Sequence, residues 1–368
     1  MKLEVFQENL AKALSFASRF ISPKAQLPVL GNILFSAKKT KLLVLSTNLE
    51  VSVCCSMGAK TEKEGEITIP GRIITELVSN LTPGTVSLEV EKEQLKISTP
   101  NFESSVLGMN SSDFPPVPTT IDKEGLIKLP KEPFLEALSQ VIFAASIDET
   151  RPILTGILFV FQKDLLVLVA TDGFRLSQKK VQVKIPGKPE RLVLPKGVLG
   201  ELTRMADGGD ILMSFSKKEN QVLFGGEEII LSSRTLEGEF PDYEKIVPKE
   251  SITKVYLDKE EFLRAVRLSS VFARESANIV KVNLGKDFVD LSAESSSSGS
   301  QKTRVDARVE GEDKMEIAFN YRFLEEFLHA ARGEEIKIEL SGPSSPGVFR
   351  DTKDTNFLHL IMPVRVQA

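Results

Sequence analysis

The chain has no tryptophan, only three tyrosines, two histidines and two cysteines, and each scarcity closes off a class of function. Cys54 and Cys55 are adjacent, in the strand-like run "LEVSVCCSM". Neighbouring cysteines do not make an ordinary disulfide, so no disulfide framework is expected, and a reduced, cytoplasmic setting fits. Both thiols are expected to be small buried or half-buried side chains. His329 and His359 have no Cys or His at ligand spacing, which argues against zinc. No apolar run of about 18 residues is present to cross a membrane as a helix. The opening "MKLEVFQENL" carries Glu4 and Glu8 and does not read as a secretory leader. Neither GxxxxGK[ST] nor GxGxxG occurs, so no phosphate cradle is visible, and the GxSxG nucleophile turn is absent too. The expectation is a protein with no cofactor, no metal and no complete catalytic set.

What is present is repetition. With 368 residues, 41% of them hydrophobic, the chain is long enough for two or three domains with ordinary cores. "ITIPGRIITELVSNLTPG" from Ile67, "LVLPKGVLGELTRMADGG" from Leu192 and "IAFNYRFLEEFLHAARGE" from Ile317 align without a gap. Both steps, 192−67 and 317−192, equal 125 residues. Each segment is an alternating strand, a breaker and a helix. Ile73, Ile74 and Leu77 correspond to Val198, Leu199 and Leu202, and again to Phe323, Leu324 and Phe327: one helical face. Pro83-Gly84, Gly208-Gly209 and Gly333 supply the helix stops. A second unit recurs at Leu3, Ile127 and Val255, with Glu8, Glu132 and Glu260 in the first helical turn, where the helix dipole favours a carboxylate.

A period near 125 is too long for a solenoid and predicts three domains of one fold, at 1–120, 126–247 and 250–368. The linkers are the proline-bearing stretches 111–125 and 238–251. "KLLVLST", "DLLVLVAT" and "EIKIELS" read as strands, and "VSLEVEKEQLKIST" and "ILMSFSKKENQVLF" as hairpins. The polar "AESSSSGSQ" reads as a loop tip. Each domain is therefore α+β, with two helices on antiparallel sheets, and the edge strand of one domain can pair with that of the next. Three copies predict a curved array with helices on one side, which oligomerisation can close into a ring.

Two features bear on function. The helices carry Lys12, Arg19, Arg72, Lys196, Arg204, Arg264, Arg267, Arg322 and Arg332, and Lys24 follows the first helix, in a chain whose formal net charge is −4. A basic face on an acidic body suits a polyanion held loosely through phosphates, although Glu76, Glu136, Glu201, Glu325 and Glu326 share these helices. The stretch "ATDGFRLS" (170–177) holds an acid, a glycine and an arginine together. It is read either as a catalytic Asp172 beside Arg175 or as a tight corner after a strand. The corner is preferred, because no nucleophile, metal ligand or cofactor loop accompanies the acid. A protein scaffold that binds no nucleic acid stays open as a third class.

The chain resembles the bacterial DNA polymerase III beta subunit family, the sliding clamps. The resemblance rests on "LPVLGNILF", "ATDGFRLS", "LPKGVLGELTRM", "GEFPDYEKIVPK" and the ending "IMPVRV", in order over essentially the whole length. It implies three topologically similar clamp domains and a head-to-tail homodimer, first domain against third, closing as a ring around duplex DNA. It also implies processivity by tethering the replicative polymerase, with no catalysis of its own. The implied partners are double-stranded DNA without sequence preference, the polymerase's catalytic subunit and the clamp loader. Repair polymerases and mismatch-repair proteins are implied too, docking through short peptides.

The resemblance implies a client-peptide pocket of Arg151, Leu154, Thr171, Gly173, Phe174, Arg175, Leu176, Pro241 and Ile246, completed by Leu360, Ile361, Met362, Pro363, Val364, Arg365 and Val366. Leu154, Leu176, Ile246, Ile361 and Met362 would form an apolar trough for leucine and phenylalanine anchors. Lys12, Lys24, Arg72, Lys196, Arg204, Arg264 and Arg267 are the expected DNA-facing cations, and Val106 and Phe272 the expected dimer contacts. The sequence departs from the family at Phe174 (often histidine), Lys245 (often arginine), Pro152 and Ile153 (an aromatic DNA contact), and Ser104 (often aromatic). Gln367 and Ala368 follow the family's usual last position.

Overall fold

Alternation sets the strands. In Lys2–Phe6 only Leu3 and Val5 are fully buried among the five residues after Met1, and Glu335–Leu340 buries Ile336, Ile338 and Leu340, the period of two expected of a strand with one solvated face. Gly156–Gln162 is different. From Gly156 to Phe161 it is apolar and buried on both sides, because Phe159 meets Phe134 of a helix (ring centroids 6.2 Å apart) while Leu158 and Val160 join an outer cluster. The computed structural model describes residues 1–122, 125–186, 190–203, 209–226 and 228–365. Arg204, Gly208, Val366, Gln367 and Ala368 lie outside the described residues.

Six helices are described: α1 (Gln7–Ala17), α2 (Gly71–Ser79), α3 (Lys131–Val141), α4 (Lys196–Leu202), α5 (Lys259–Ala273) and α6 (Tyr321–Ala330). Their local chemistry is ordinary. Asp258 caps α5 by accepting from the Glu261 N–H at 2.9 Å, and Asn320 caps α6 by accepting from Arg322 N–H at 3.0 Å. Gly71 opens α2 because a Cβ there would stand 2.9 Å from Ile21 Cδ1 and 3.1 Å from Ile33 Cγ1. The aligned helical face holds at most positions. Ile74, Val198, Leu199, Leu202, Leu324 and Phe327 are buried and Leu77 and Phe323 half-buried, but Ile73 is 53% exposed.

The chain forms two compact units, Met1–Lys131 with Arg204–Thr235, and Glu132–Thr203 with Leu236–Ala368. The first unit contains a five-stranded sheet, in order Lys60–Lys63, Lys2–Phe6, Thr85–Glu91, Gln94–Thr99 and Phe102–Leu107. Its second sheet has eight strands, in order Ile127–Leu129, Ile211–Ser216, Gln221–Gly225, Ile229–Arg234, Val51–Gly58, Lys41–Thr47, Asn32–Lys38 and Gly65–Pro70. The junction between two repeats runs through this sheet, where Ile230 pairs with Cys54 and Ser232 with Ser52. Cys54 and Cys55 are both buried free thiols, and burial pushes them up to about 11 and about 12.

The second unit is built on a twelve-stranded sheet. Its first half orders Glu190–Pro195, Gly156–Gln162, Leu165–Thr171, Arg175–Gln182, Phe357–Ile361 and Gly347–Asp351. Its second half continues with Glu335–Leu340, Thr253–Asp258, Gly299–Gly311, Phe288–Ser295, Ile279–Leu284 and Glu316–Asn320. Here too a seam joins two repeats: Leu176 pairs with Leu360, and Ser177 with His359. The expected edge-to-edge pairing of successive repeats thus occurs twice. Phenylalanine does the work of the missing tryptophan in the core of this unit. Phe327 lies 5.5 Å from Phe349 and 5.8 Å from Phe357, ring centroid to centroid.

Candidate functional site: a corner and an apolar face

The corner at 171–175 is made by its own side chains. Thr171 Oγ1 donates to Arg175 O at 2.6 Å and accepts from Gly173 N–H at 3.0 Å. Asp172 Oδ1 accepts from the N–H groups of Phe174 (2.9 Å) and Arg175 (3.0 Å), an Asx turn. Gly173 adopts φ +91°, a conformation that costs an L side chain about 1–2 kcal/mol. The first repeat builds the same turn from other residues. Thr47 Oγ1 donates to Val51 O at 3.1 Å, and Asn48 Oδ1 accepts from Glu50 N–H and Val51 N–H at 3.1 and 2.7 Å. Leu49 takes the position of Gly173, with φ 77°. The acid is therefore a turn-former, and its other oxygen is occupied as well: Arg175 Nε donates to Asp172 Oδ2 at 3.0 Å.

Arg175 points beneath the corner. It is 8% exposed, gives Nη2 to Phe143 O at 2.8 Å, pairs closely with Glu326, and lies 4.4 Å from the Phe323 ring centroid. Burial pulls its pKa down, and Asp172 opposes that. On the same side of the seam, Ser177 Oγ is 2.6 Å from His359 Nδ1, and Lys179 pairs closely with Asp354. Burial, with Arg175 nearby, pulls His359 down to about 3, so it is neutral at neutral pH.

The opposite side of the seam is apolar. Leu176, Leu358 and Leu360 join Leu158, Val160, Val167, Val169 and Tyr243 in one cluster, edged by the half-buried Ile153, Phe240 and Val247. Around it stand exposed apolar groups: Phe174 (64% exposed), Ile246 (39%) and Met362 (37%). Met362 N–H donates to Phe174 O at 2.8 Å, so these two close one end together. Ile246 is tied in by its N–H to Tyr243 O at 3.1 Å, and the exposed Pro241 lies on the same linker. Arg151 reaches over the corner, with Nη1 3.6 Å from where a Gly173 Cβ would stand. Leu154, 6% exposed, hangs from Arg151 by its own N–H at 3.0 Å. Pro363 is half-buried, Arg365 is exposed, and Val364 N–H donates to Ala318 O at 2.8 Å.

Two expected pocket residues, the trough residue Ile361 and Arg175, lie on the other side of the seam. Ile361 is fully buried in the core beneath, with Phe319, Phe349 and Phe357, and Arg175, its Cα partner across the seam, shares that side. The reason is the pleat: adjacent residues of a strand face opposite ways, so Leu360 and Ile361 cannot line one trough. Sequence reasoning missed Tyr243, Val247 and Leu358, although spacing of two from Leu360 points to Leu358.

Among the expected DNA-facing cations, Lys12, Lys24 and Arg72 are exposed in the first unit, and Arg264 and Arg267 in the second. Arg267 is engaged by Glu325 at 3.2 Å and His329 at 2.9 Å. Lys196 is half-buried, and burial, with Arg175 nearby, lowers its pKa. Val106 is 7% exposed, whereas its neighbour Leu107 is 69% exposed. Phe272 is half-buried, 3.9 Å from where a Gly299 Cβ would stand. Among the described residues no group of three His, Cys, Asp or Glu side chains is placed to hold a metal.

A thrice-repeated α+β domain with edge-paired seams is the architecture of the clamps, and comparison with known proteins agrees. Models of the N-terminal, central and C-terminal domains of the DNA polymerase III beta subunit match residues 1–118, 128–242 and 244–365. The chain belongs to that family. The Beta sliding clamp of Staphylococcus aureus is 28% identical over 376 aligned positions, covering 99% of each chain. The DNA polymerase sliding clamp of Bacillus subtilis superposes with a TM-score of 0.94 at 27% identity, and the DNA polymerase III beta subunit of Thermotoga maritima with 0.91 at 26%, each covering 100% of both chains.

Proposed function

We propose that this protein is a DNA sliding clamp. It encircles duplex DNA as a head-to-tail ring of two chains, with domains at 1–120, 126–247 and 250–368. It tethers the replicative polymerase and other clients through short peptides, and it catalyses nothing itself. The observation that carries the reading is the run of three beta-subunit domains across the whole chain. No helix among the described residues is long and apolar enough to cross a membrane, and the proposed role on replicating DNA puts the protein in the cytoplasm.

Strand pairing supports ring closure. Val51–Gly58 pairs with Ile229–Arg234, the last strand of the next domain, and its counterpart Arg175–Gln182 pairs with Phe357–Ile361, again the last. A third application of this rule joins the first half of Gly299–Gly311 to Phe102–Leu107. Both have a side to spare. Phe102–Leu107 ends its sheet, and residues 299–305 pair only with Phe288–Ser295 among the described residues. Apolar groups stand beside both edges: Leu107 at one, Phe272 and the exposed Val271 at the other.

The apolar face beside the corner suits the client pocket. Its floor is prebuilt, and Phe174, Ile246 and Met362 are exposed apolar groups that gain by burial. The test of the whole reading uses circular DNA and a clamp-loading extract. Loaded protein should stay on the circle in high salt and leave when the circle is cut. Equal loss from circular and linear DNA would overturn the reading.

A further inference from the structure

The apolar face continues past the proposed client pocket into a groove with a volume of about 410 Å³. Along Arg175–Gln182, Leu176, Gln178 and Lys180 share one face, four residues from end to end, a span of about 13 Å at strand rise. Opposite them run Val169 and Val167 on one neighbouring strand and Leu360 and Leu358 on the other. Val167, Tyr243, Val247 and Leu358 belong to the cluster that floors the pocket and also line the groove, so the two share a floor.

The walls of the groove differ from those of the pocket. Gln162, Gln178 and Asn356 supply amides, and Lys180, Lys249 and Arg350 supply positive charge against one carboxylate, Glu244. Lys180 and Lys249 are exposed and have no ion pair among the described residues. Arg350 shares Glu339 with Lys337, at 2.8 and 2.7 Å, which leaves that trio with a net positive charge.

We infer that this groove receives an acidic segment flanking the anchor of a client peptide. The inference rests on the client-pocket reading and deepens it: anchors fill the apolar end, and carboxylates a few residues along meet Lys180 and Lys249. A peptide is favoured over a nucleic-acid backbone because the floor is leucine, valine and tyrosine and runs unbroken into the pocket. Such rim charges set preference among clients more than they set anchoring.

Fluorescence anisotropy with synthetic peptides tests it on the full chain. The peptides are a leucine–phenylalanine anchor alone, the anchor with four acidic residues added at either end, and the anchor with serine–glycine additions of equal length. One acidic extension should bind about fivefold tighter than the bare anchor. The gain should vanish in the Lys180→Glu/Lys249→Glu double variant and persist in Lys286→Glu, a control on a distant hairpin. The bare anchor should bind all three proteins alike, which also shows that the variants fold. Absence of a gain from either extension, or a gain that survives in the double variant, overturns the inference. Displacement of the acidic arm by a short oligothymidylate that leaves the bare anchor in place overturns it in favour of a phosphate site. If the bare anchor fails to bind the unchanged chain, the pocket reading itself falls and takes this inference with it.

Discussion

At the residue scale, Asp172 shows how a suggestive acid can be wholly engaged by structure. One oxygen closes a turn and the other holds Arg175. Asn48 makes the first repeat's version of the turn with an amide, so the charge is not needed for the turn itself. Asp172→Asn should therefore keep the corner and weaken only the contact with Arg175, whereas Asp172→Ala loses both. Urea unfolding should show a cost of about 2 kcal/mol for Ala and less than half of that for Asn. Equal costs would mean that the Arg175 contact alone matters. The corner was legible in the sequence because Asp-Gly after a strand has few other uses. The burial of Arg175 was not, since Glu326 and Phe323 approach it from more than 140 positions away.

At the element scale, the seam between Arg175–Gln182 and Phe357–Ile361 has two characters. One side is apolar, and the other carries Arg175, Ser177, Lys179 and His359. His359 gives this seam a pH signature. Its pKa falls from 6.5 to about 3 on folding, so between those values the unfolded chain takes up a proton that the folded chain refuses. Stability from this group is complete above pH 6.5 and is lost as pH falls toward 3, at up to about 1.4 kcal/mol per pH unit. His359→Gln should flatten the fall in stability between pH 6.5 and 4 relative to the unchanged chain, measured by urea unfolding at each pH. Parallel curves for the two proteins would show that His359 does not set the slope. The sequence showed the strands and most helices through their periods, yet it could not show that residues 177 and 359 meet across the seam. Period two did carry one unused warning: Leu360 and Ile361 face opposite ways.

At the scale of the whole molecule, the spare edges make a quantitative demand. The solution mass should be twice the 40.6 kDa of one chain. Leu107→Asp and Val271→Asp lie at exposed positions, 69% and 60%, so each should keep its fold and yet sediment with the mass of one chain. An unchanged dimer in both would place the interface elsewhere. The threefold repeat was plain in the sequence at its 125-residue offset, because helices and linkers recur within one domain's length. Hidden from it was the way the sheets disregard the repeat. Strands 211–216, 221–225 and 229–234 of the middle repeat belong to a sheet with the first, while 156–162, 165–171 and 175–182 belong to a sheet with the third. The repeat is thus not the unit of sheet structure. A fragment cut at a repeat boundary would leave Ile229–Arg234 or Arg175–Gln182 with a bare row of amides and carbonyls. Such an edge is a template for other chains, so excising the middle repeat produces a sticky fragment rather than a domain.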